Sequence, residues 1–340
     1  MLIDTTLREG AQMFGVRFSD REKKEIVHGL TAMGVEEIEA GWIGQAGLAS
    51  LLDWAGPRLD RTILSVWARC RKEDVRQAAD LGFERVNIGV PASRPHRELR
   101  LGLDLDGLAR KIRDTVGLAL NLGLDVGVGL EDASRANGDE LFILARTAQT
   151  AGAFRVRFSD TVGRWSPSKV AALVGWIAEK VDLEIAVHCH DDFGMATANA
   201  VSALEGGAHW ADGSLLGLGE RAGVAATEEL AAYLALGSGT GVYDLSDISG
   251  LCALVARAAS LPLSRNKAVA GTDIFACETG IHLHGLVRDP ALFEPFDPAW
   301  VGGRRKFGFG EKSGRQTSRA EFQGLTKADA GNPAPWKIRV

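Results

Sequence analysis

The chain has 340 residues, 46% hydrophobic and 24% charged, proportions that exclude a collagen-like or intrinsically disordered chain and fit a soluble protein with a sizeable core. Lysines and arginines number 39 against 44 aspartates and glutamates, a formal net charge of −5; with no long basic block, nucleic acid is not an expected partner, and an anionic substrate must be met by local arginines. No apolar run reaches the roughly 18 residues of a membrane span. The opening Met1-Leu2-Ile3-Asp4 lacks a secretory leader, and four scattered cysteines (Cys70, Cys189, Cys252, Cys277) suit a reducing compartment, so a cytoplasmic protein without a membrane partner is expected.

In chain order, strand-like runs fall at residues 2–6, 36–40, 62–67, 85–90, 125–130, 154–158, 184–188 and 210–215. Amphipathic segments lie between them at 20–33, 72–81, 105–122, 138–150, 168–180 and 195–205, with apolar residues at three- and four-residue steps. Several end in glycine just before the next strand, as at Met33-Gly34 and Ala151-Gly152, the signal of a helix C-cap. Eight strands alternating with helices predict a (β/α)8 TIM barrel over residues 1–236. A doubly wound open sheet is the structural alternative, but Leu7-Arg8-Glu9-Gly10 is not its glycine-rich first turn. Gly237-Ser-Gly-Thr-Gly241 reads as a linker, residues 237–315 as a mainly helical C-terminal subdomain, and 316–340 as a polar, partly disordered tail.

Catalytic residues of a barrel sit at the carboxyl ends of strands and in the loops that follow. That filter collects Asp4, Arg8 and Glu9 after strand one, Glu39 on strand two and Arg69 after strand three. It adds Glu131 and Asp132 on strand five, Asp160 and Thr161 on strand six, His188 and His190 on strand seven, and Glu220 and Arg221 after strand eight. So much charge at one end is costly unless paired or bound to metal. His188-Cys189-His190 is the strongest element: strand residues two apart share a face and stand roughly 6.6 Å apart. Two such imidazoles can converge on a metal, with Glu9 as third ligand and open positions left for substrate and water. A pair of satisfied core histidines is the alternative. Asp191 and Asp192 would either fix the ring tautomers or remain solvated loop acids. Arg8 could polarise a carbonyl or hold a carboxylate, or simply form a structural ion pair. Asp132 or Ser134 could equally cap a helix. Gly217–Gly223 could approach a phosphate or cofactor, or be an ordinary loop. Trp42, Trp54, Trp176, Trp210 and the other tryptophans are taken as packing residues.

Together these motifs resemble a family. Asp4-Thr-Thr-Leu-Arg8-Glu9-Gly-Ala-Gln12, His188-Cys-His-Asp-Asp-Phe-Gly194 with Ala196-Thr-Ala-Asn199, and Gly217-Leu-Gly-Glu-Arg-Ala-Gly223 are similar to the signatures of the homocitrate, isopropylmalate and citramalate synthases. Glu278-Thr-Gly-Ile-His282, Glu294-Pro-Phe-Asp-Pro298 and Lys312-Ser-Gly-Arg315 resemble the subdomain that follows their barrel. The short homocitrate synthases of nitrogen-fixation type are the nearest in pattern. The resemblance implies a Claisen condensation of acetyl-CoA with a 2-oxo acid, followed by thioester hydrolysis. It makes Glu9, His188 and His190 ligands of a divalent cation (magnesium, manganese, zinc, iron or cobalt), chelated in turn by the 2-oxo acid. Arg8 would stabilise the developing alkoxide, and Glu131 and His282 would serve as acid and base around enolisation. Substrate contacts would come from Arg8, Gln12, Arg69, Ser93 and Thr161, and acetyl-CoA contacts from Gly217, Gly219, Glu220 and Arg221. His282 would reach in from a second copy, in a domain-exchanged homodimer.

The sequence departs from the family pattern at Val224, where many relatives have asparagine, at Phe293, where tyrosine is common, and at Trp42-Ile43. The residues after Arg315 are too few for the regulatory domain of leucine-inhibited relatives, since domains need about 50 residues or more; feedback inhibition of that kind is not expected. Arg69, Arg71, Arg94, His96 and Arg97, read as loop residues after strands three and four, favour a dicarboxylic acceptor, 2-oxoglutarate foremost. Isopropylmalate or citramalate synthesis is the alternative within the family. The rivals outside it are a metal-dependent lyase on the same barrel and a barrel that has lost turnover.

Overall fold

The computed structural model describes residues 1–59 and 61–313; the expected tail at 316–340, and Arg315 before it, lie outside them. The chain divides into two compact units, Met1–Leu230 and a second beginning at Ala231.

In the first unit, eight parallel strands close into a barrel in sequential order. They are β1 (Leu2–Asp4), β2 (Glu37–Trp42), β3 (Ile63–Arg69), β4 (Arg85–Pro91), β5 (Asp125–Glu131), β6 (Arg155–Asp160), β7 (Glu184–Cys189) and β8 (Trp210–Gly213). The surrounding helices are α1 (Asp20–Met33), α2 (Leu48–Ala55), α3 (Lys72–Asp80), α4 (Arg94–Leu101), α5 (Leu105–Asn121), α6 (Gly138–Ala151), α7 (Pro167–Ala178), α8 (Ala196–Glu205) and α9 (Thr227–Ala232). The helices are stopped as the sequence suggests. Ser19 and Glu22 form a reciprocal capping box on α1, and Gly34 closes it at φ 87°, a conformation that costs a residue with a Cβ about 1–2 kcal/mol. The short helices α2 and α4 fall outside the amphipathic segments read from the sequence. Eight residues, half of them charged in Arg94-Pro-His-Arg-Glu-Leu-Arg-Leu101, leave α4 too little apolar face to register.

Two cores follow from strand alternation. One set of side chains, among them Ile38, Val66, Ile88, Val128, Phe158 and Val187, is fully buried aliphatic or aromatic surface, as expected for strands covered on both faces. The residues between them, Glu37, Glu39, Asn87, Arg155, Arg157 and Asp212, are equally buried and hydrogen-bond one another across the barrel interior. The barrel is thus filled by ion pairs where aliphatic layers are usual. Gly127 and Gly129 on β5 leave room for them: a Cβ at Gly127 would stand 2.5 Å from Asn87 Oδ1.

The second unit contains α10 (Ile248–Ala258), α11 (Gly280–Arg288), a parallel pair β9 (Ala276–Cys277) and β10 (Lys306–Phe307), and short 3-10 turns. Buried Arg305 bridges Glu294 at 2.7 Å and Asp297 at 3.5 Å, which fixes the Glu294–Pro298 segment. No helix among the described residues is long and apolar enough to cross a membrane.

Candidate metal centre and active site

The metal motif assembles where β1 and β7 end. His188 and His190 share a face, with ring centroids 5.1 Å apart, while Cys189 between them is fully buried and burial pushes its thiol up. Both imidazoles turn Nε2 toward Glu9: His188 lies 3.8 Å from Oε2 and His190 4.0 Å from Oε1. The three residues offer ligand atoms within 4.8 Å of one another and are all buried. Two donors each about 2.1 Å from one ion stand roughly 3 to 4 Å apart, so this spacing fits a first-row divalent cation with open positions. Burial, reinforced by the neighbouring His188, lowers His190 to about 3, which keeps it neutral with a lone pair to give. Burial also works against the Glu9 charge, but Arg8 and the two histidines overcome it and bring Glu9 down to about 2.

The residues behind this triad hold it in place. His188 Nδ1 meets Asp212 Oδ2 at 2.9 Å, the carboxylate–histidine pairing that fixes a ligand ring. Asp212 therefore has the orienting position that the sequence reading offered to Asp191 or Asp192. Asp191 instead accepts from Ala196 N at the start of α8 (2.7 Å), and Asp192 pairs with Arg221 (2.8 Å). Arg8 donates to Glu9 and to Glu39 (2.6 Å). Arg157 spans Asp212 (2.7 Å) and Glu39 (3.0 Å). Burial opposes both guanidinium charges, and the carboxylates more than restore them.

The Gly217–Gly223 loop packs onto the centre. Glu220 N donates to Glu9 Oε1 at 3.2 Å, and a Cβ at Gly219 would stand 3.2 Å from Glu9 Cγ. Val224 N returns to Gly217 O at 3.0 Å, and Asp191 N to Gly223 O at 2.9 Å. Close packing against Glu9 accounts for Gly219, while Gly217 and Gly223 pack backbone to backbone at positive φ. Val224 itself is buried and bridges to His190 through the backbone.

A cavity of about 260 Å³ opens beside the triad. Of the expected site residues, the structure brings Arg8, Glu9, Gln12, Glu131, Thr161, His188, His190 and Glu220 to its wall. Others stand apart. Arg69 is not among the lining residues; its guanidinium grips Asp74 with two bonds of 2.7 and 2.9 Å. Ser93 donates to Asp132, a buried hub that also accepts from Arg135 and whose backbone N donates to Thr161 Oγ1 at 2.8 Å. Neither Asp132 nor Ser134 caps α6; Asn137 does. Arg94 and Arg97 belong to α4 and not to a loop: Arg94 faces Glu98, and buried Arg97 holds Ala92 O and Glu140. His282 lies in the second unit, exposed on α11 and stacked on Phe293 with centroids 4.3 Å apart. Gly285, one turn on, supplies the space that Phe293 occupies.

Six cavity residues escaped the sequence reading: Trp67, Gly89, Arg100, Gly129, Arg157 and Ser159. Arg157 and Ser159 were legible in principle, because Arg155-Val-Arg157-Phe-Ser159 alternates polar and apolar at period two. Arg100 was hidden with its helix, and Trp67 by the assumption that tryptophans pack.

A closed barrel carrying two histidines and a glutamate beside a charged cavity has the ligand set of a candidate metal site, and comparison with known proteins names the lineage. The HMGL-like family matches residues 1–255. A homocitrate synthase of Frankia alni is 40% identical over 321 residues, 93% of this chain and 91% of the relative. A 2-isopropylmalate synthase of Caldanaerobacter subterraneus subsp. tengcongensis is 37% identical, covering 92% and 82%. An HMG-CoA lyase of Bacillus subtilis superposes with a TM-score of 0.70 over 79% of this chain and 97% of that one, at 20% identity, which speaks for the fold. The chain belongs to the HMGL-like family, among its homocitrate and 2-isopropylmalate synthase relatives. It is an enzyme of the acyltransferase type.

Proposed function

We propose that the protein condenses acetyl-CoA with a 2-oxo acid, 2-oxoglutarate foremost, to give homocitrate after thioester hydrolysis. The observation that carries this reading is the convergence of Glu9, His188 and His190 beside Arg8 and Glu131 in one cavity. A divalent cation held by those three residues would supply Lewis acidity toward the keto and carboxylate oxygens of the acceptor. Glu131 takes a proton from the acetyl methyl. The resulting carbanion forms a C–C bond to the keto carbon, and the keto oxygen takes the electron pair and then a proton. Arg8, fixed by Glu9 and Glu39, faces that oxygen as charge develops on it. Gln12 and Thr161 position the acceptor, and Glu220 with the Gly217–Gly223 loop borders the approach of acetyl-CoA. Water then adds to the thioester carbon, the C–S bond breaks, and the thiol leaves with a proton. His282 shares these proton transfers from a second copy in a domain-exchanged homodimer.

Thiol release from acetyl-CoA, with a panel of 2-oxo acids before and after chelation, tests the reading. Chelator-sensitive release with 2-oxoglutarate is expected. No release with any acid, from folded and metal-replete protein, would replace this reading with a lyase, and release of pyruvate or acetoacetate from the corresponding substrates would then be the assay.

A further inference from the structure

The cavity wall carries three arginines, and they are held in different ways. Arg8 is buried and reaches Glu9, Glu39 and, at 4.0 Å, Asp212. Arg157 is buried between Asp212 and Glu39. Withdrawing either would strand buried carboxylates, which is costly. Arg100 is half-exposed and, among the described residues, meets one carboxylate: Nη1 lies 2.7 Å from Glu131 Oε2. A half-exposed pair of this kind is cheap to exchange for another.

Its backbone, by contrast, is fixed. Arg97 clamps α4 through Ala92 O and both oxygens of Glu140, so Arg100 in the last turn is delivered to the ends of β4 and β5. Beneath it Gly89 and Gly129 carry no side chain and both line the cavity. A Cβ at Gly89 would stand 2.5 Å from the Trp67 ring and 2.8 Å from Glu131 Oε1. Gly89 thus lets the Trp67 ring and Glu131 close onto β4 beside Arg100, and Gly129 leaves the neighbouring wall without a side chain.

Charge defines what fits there. Around the metal centre Arg8 and Arg157 oppose Glu9, Glu39 and Asp212, leaving one negative charge when the histidines are neutral. A divalent cation turns that into one positive charge, matched by the carboxylate beside the keto carbon. A second carboxylate on the acceptor then has Arg100 as its partner. Resting on the condensation proposed above, we propose that Arg100 selects a dicarboxylic 2-oxo acid: it leaves Glu131 for the distal carboxylate and, in leaving, uncovers Glu131 Oε2 to accept a proton. Acceptor binding and exposure of the base become one event.

The test compares 2-oxoglutarate with 2-oxopentanoate, which has the same carbon count and no distal carboxylate. Binding of each to the full-length, metal-loaded protein is measured by calorimetry without acetyl-CoA. The wild type prefers the dicarboxylate. Arg100→Gln shrinks that preference by roughly 10- to 100-fold, the worth of a charge-assisted bidentate contact, and Arg100→Lys restores part of it. Glu131→Gln, which removes the competing carboxylate, shifts 2-oxoglutarate affinity in the opposite direction, tighter, while abolishing turnover. A merely structural Arg100 would affect both acids alike. An unchanged preference in Arg100→Gln, or a wild type that binds the two acids equally, overturns the assignment. If the preference behaves as stated but the wild type releases no thiol with any acid, the condensation reading falls and the assignment of Arg100 stands.

Discussion

Two rings of buried charge occupy the barrel, stepped by two residues along β2 (Glu37, Glu39) and β6 (Arg155, Arg157), and they differ in what their free atoms face. At the floor, Glu37 accepts from Arg155 through both oxygens (2.8 Å each), from Arg85 at 2.9 Å and from Asn87 at 2.9 Å. At the mouth, Glu39, Arg157, Asp212 and Arg8 repeat the same chemistry, but the ring ends in His188, His190 and Glu9, whose donor atoms face the cavity. Among the described residues His190 Nδ1 and Asp212 Oδ1 at the mouth, and Arg85 Nε and Arg155 Nε at the floor, are buried without a hydrogen-bond partner. Residue type does not separate scaffold from site here. Access does: the Glu37 oxygens are all taken by floor partners, whereas Glu9, His188 and His190 turn theirs toward the cavity.

The comparison breaks most visibly if the rings are mutated in turn. Glu9→Gln or His188→Ala should reduce metal-dependent turnover to background and lose the bound ion in elemental analysis, with the fold intact. Full activity in His188→Ala would sink the site assignment. Glu37→Gln should do the reverse. It leaves buried Arg155 without a counter-charge, while Arg85 keeps Asp125 at 3.2 Å; a broken buried pair is worth about 3–5 kcal/mol, so the melting temperature should fall steeply while metal stoichiometry in the surviving folded protein is kept.

Titration sharpens the same contrast. Burial opposes the Glu37 charge, yet Arg155 and Arg85 prevail and bring it from 4.5 down to about 2. Its contribution is therefore complete above pH 4.5 and is lost as pH falls toward 2, roughly 3 kcal/mol in all. Asp4 has the opposite sign. Burial raises it from 3.8 to about 6, against hydrogen bonds from Thr227 and Thr6. The folded state holds that proton more tightly, so its contribution is present below about pH 3.8 and is lost as pH rises through 6, again about 3 kcal/mol. Thermal melts across pH 2–7 should show the Asp4 limb disappear in Asp4→Asn while the acid limb remains. Persistence of both limbs would refute the assignment to Asp4.

The outer face of this barrel was legible in the sequence because aliphatic strands and capped helices repeat with a period that one residue string displays. The convergence of Glu9, His188 and His190 was legible for a similar reason: His188 and His190 are two apart at the end of one strand, and Glu9 falls just after another. The charged interior was not, since Glu37 finds Arg155 across 118 positions and nothing local ties them. Arg100 was lost with α4, whose charged face hides its helical period. Arg69, placed by its strand end, turned out to be occupied by Asp74 five residues on. Strand position says where a side chain starts, and its partner decides where the charge ends.

Asp212 gives the smallest of these effects and the finest cut between the rings, because it belongs to both. It binds Arg157 as a scaffold residue and His188 Nδ1 as a residue that positions a ligand. Burial opposes its charge, Arg157 and His188 overcome that, and the carboxylate is held below its usual range. Asp212→Asn keeps an acceptor oxygen for His188 Nδ1 and removes the negative charge. If Asp212 were scaffold alone, the variant would lose stability and keep its metal affinity. As a residue that orients and polarises His188, it should instead weaken divalent-cation binding by roughly 10- to 100-fold, read by competition with a chelator at a temperature where both proteins are folded. Loss of melting temperature with unchanged metal affinity would assign Asp212 to the floor's kind of chemistry and leave His188 to be held by its strand.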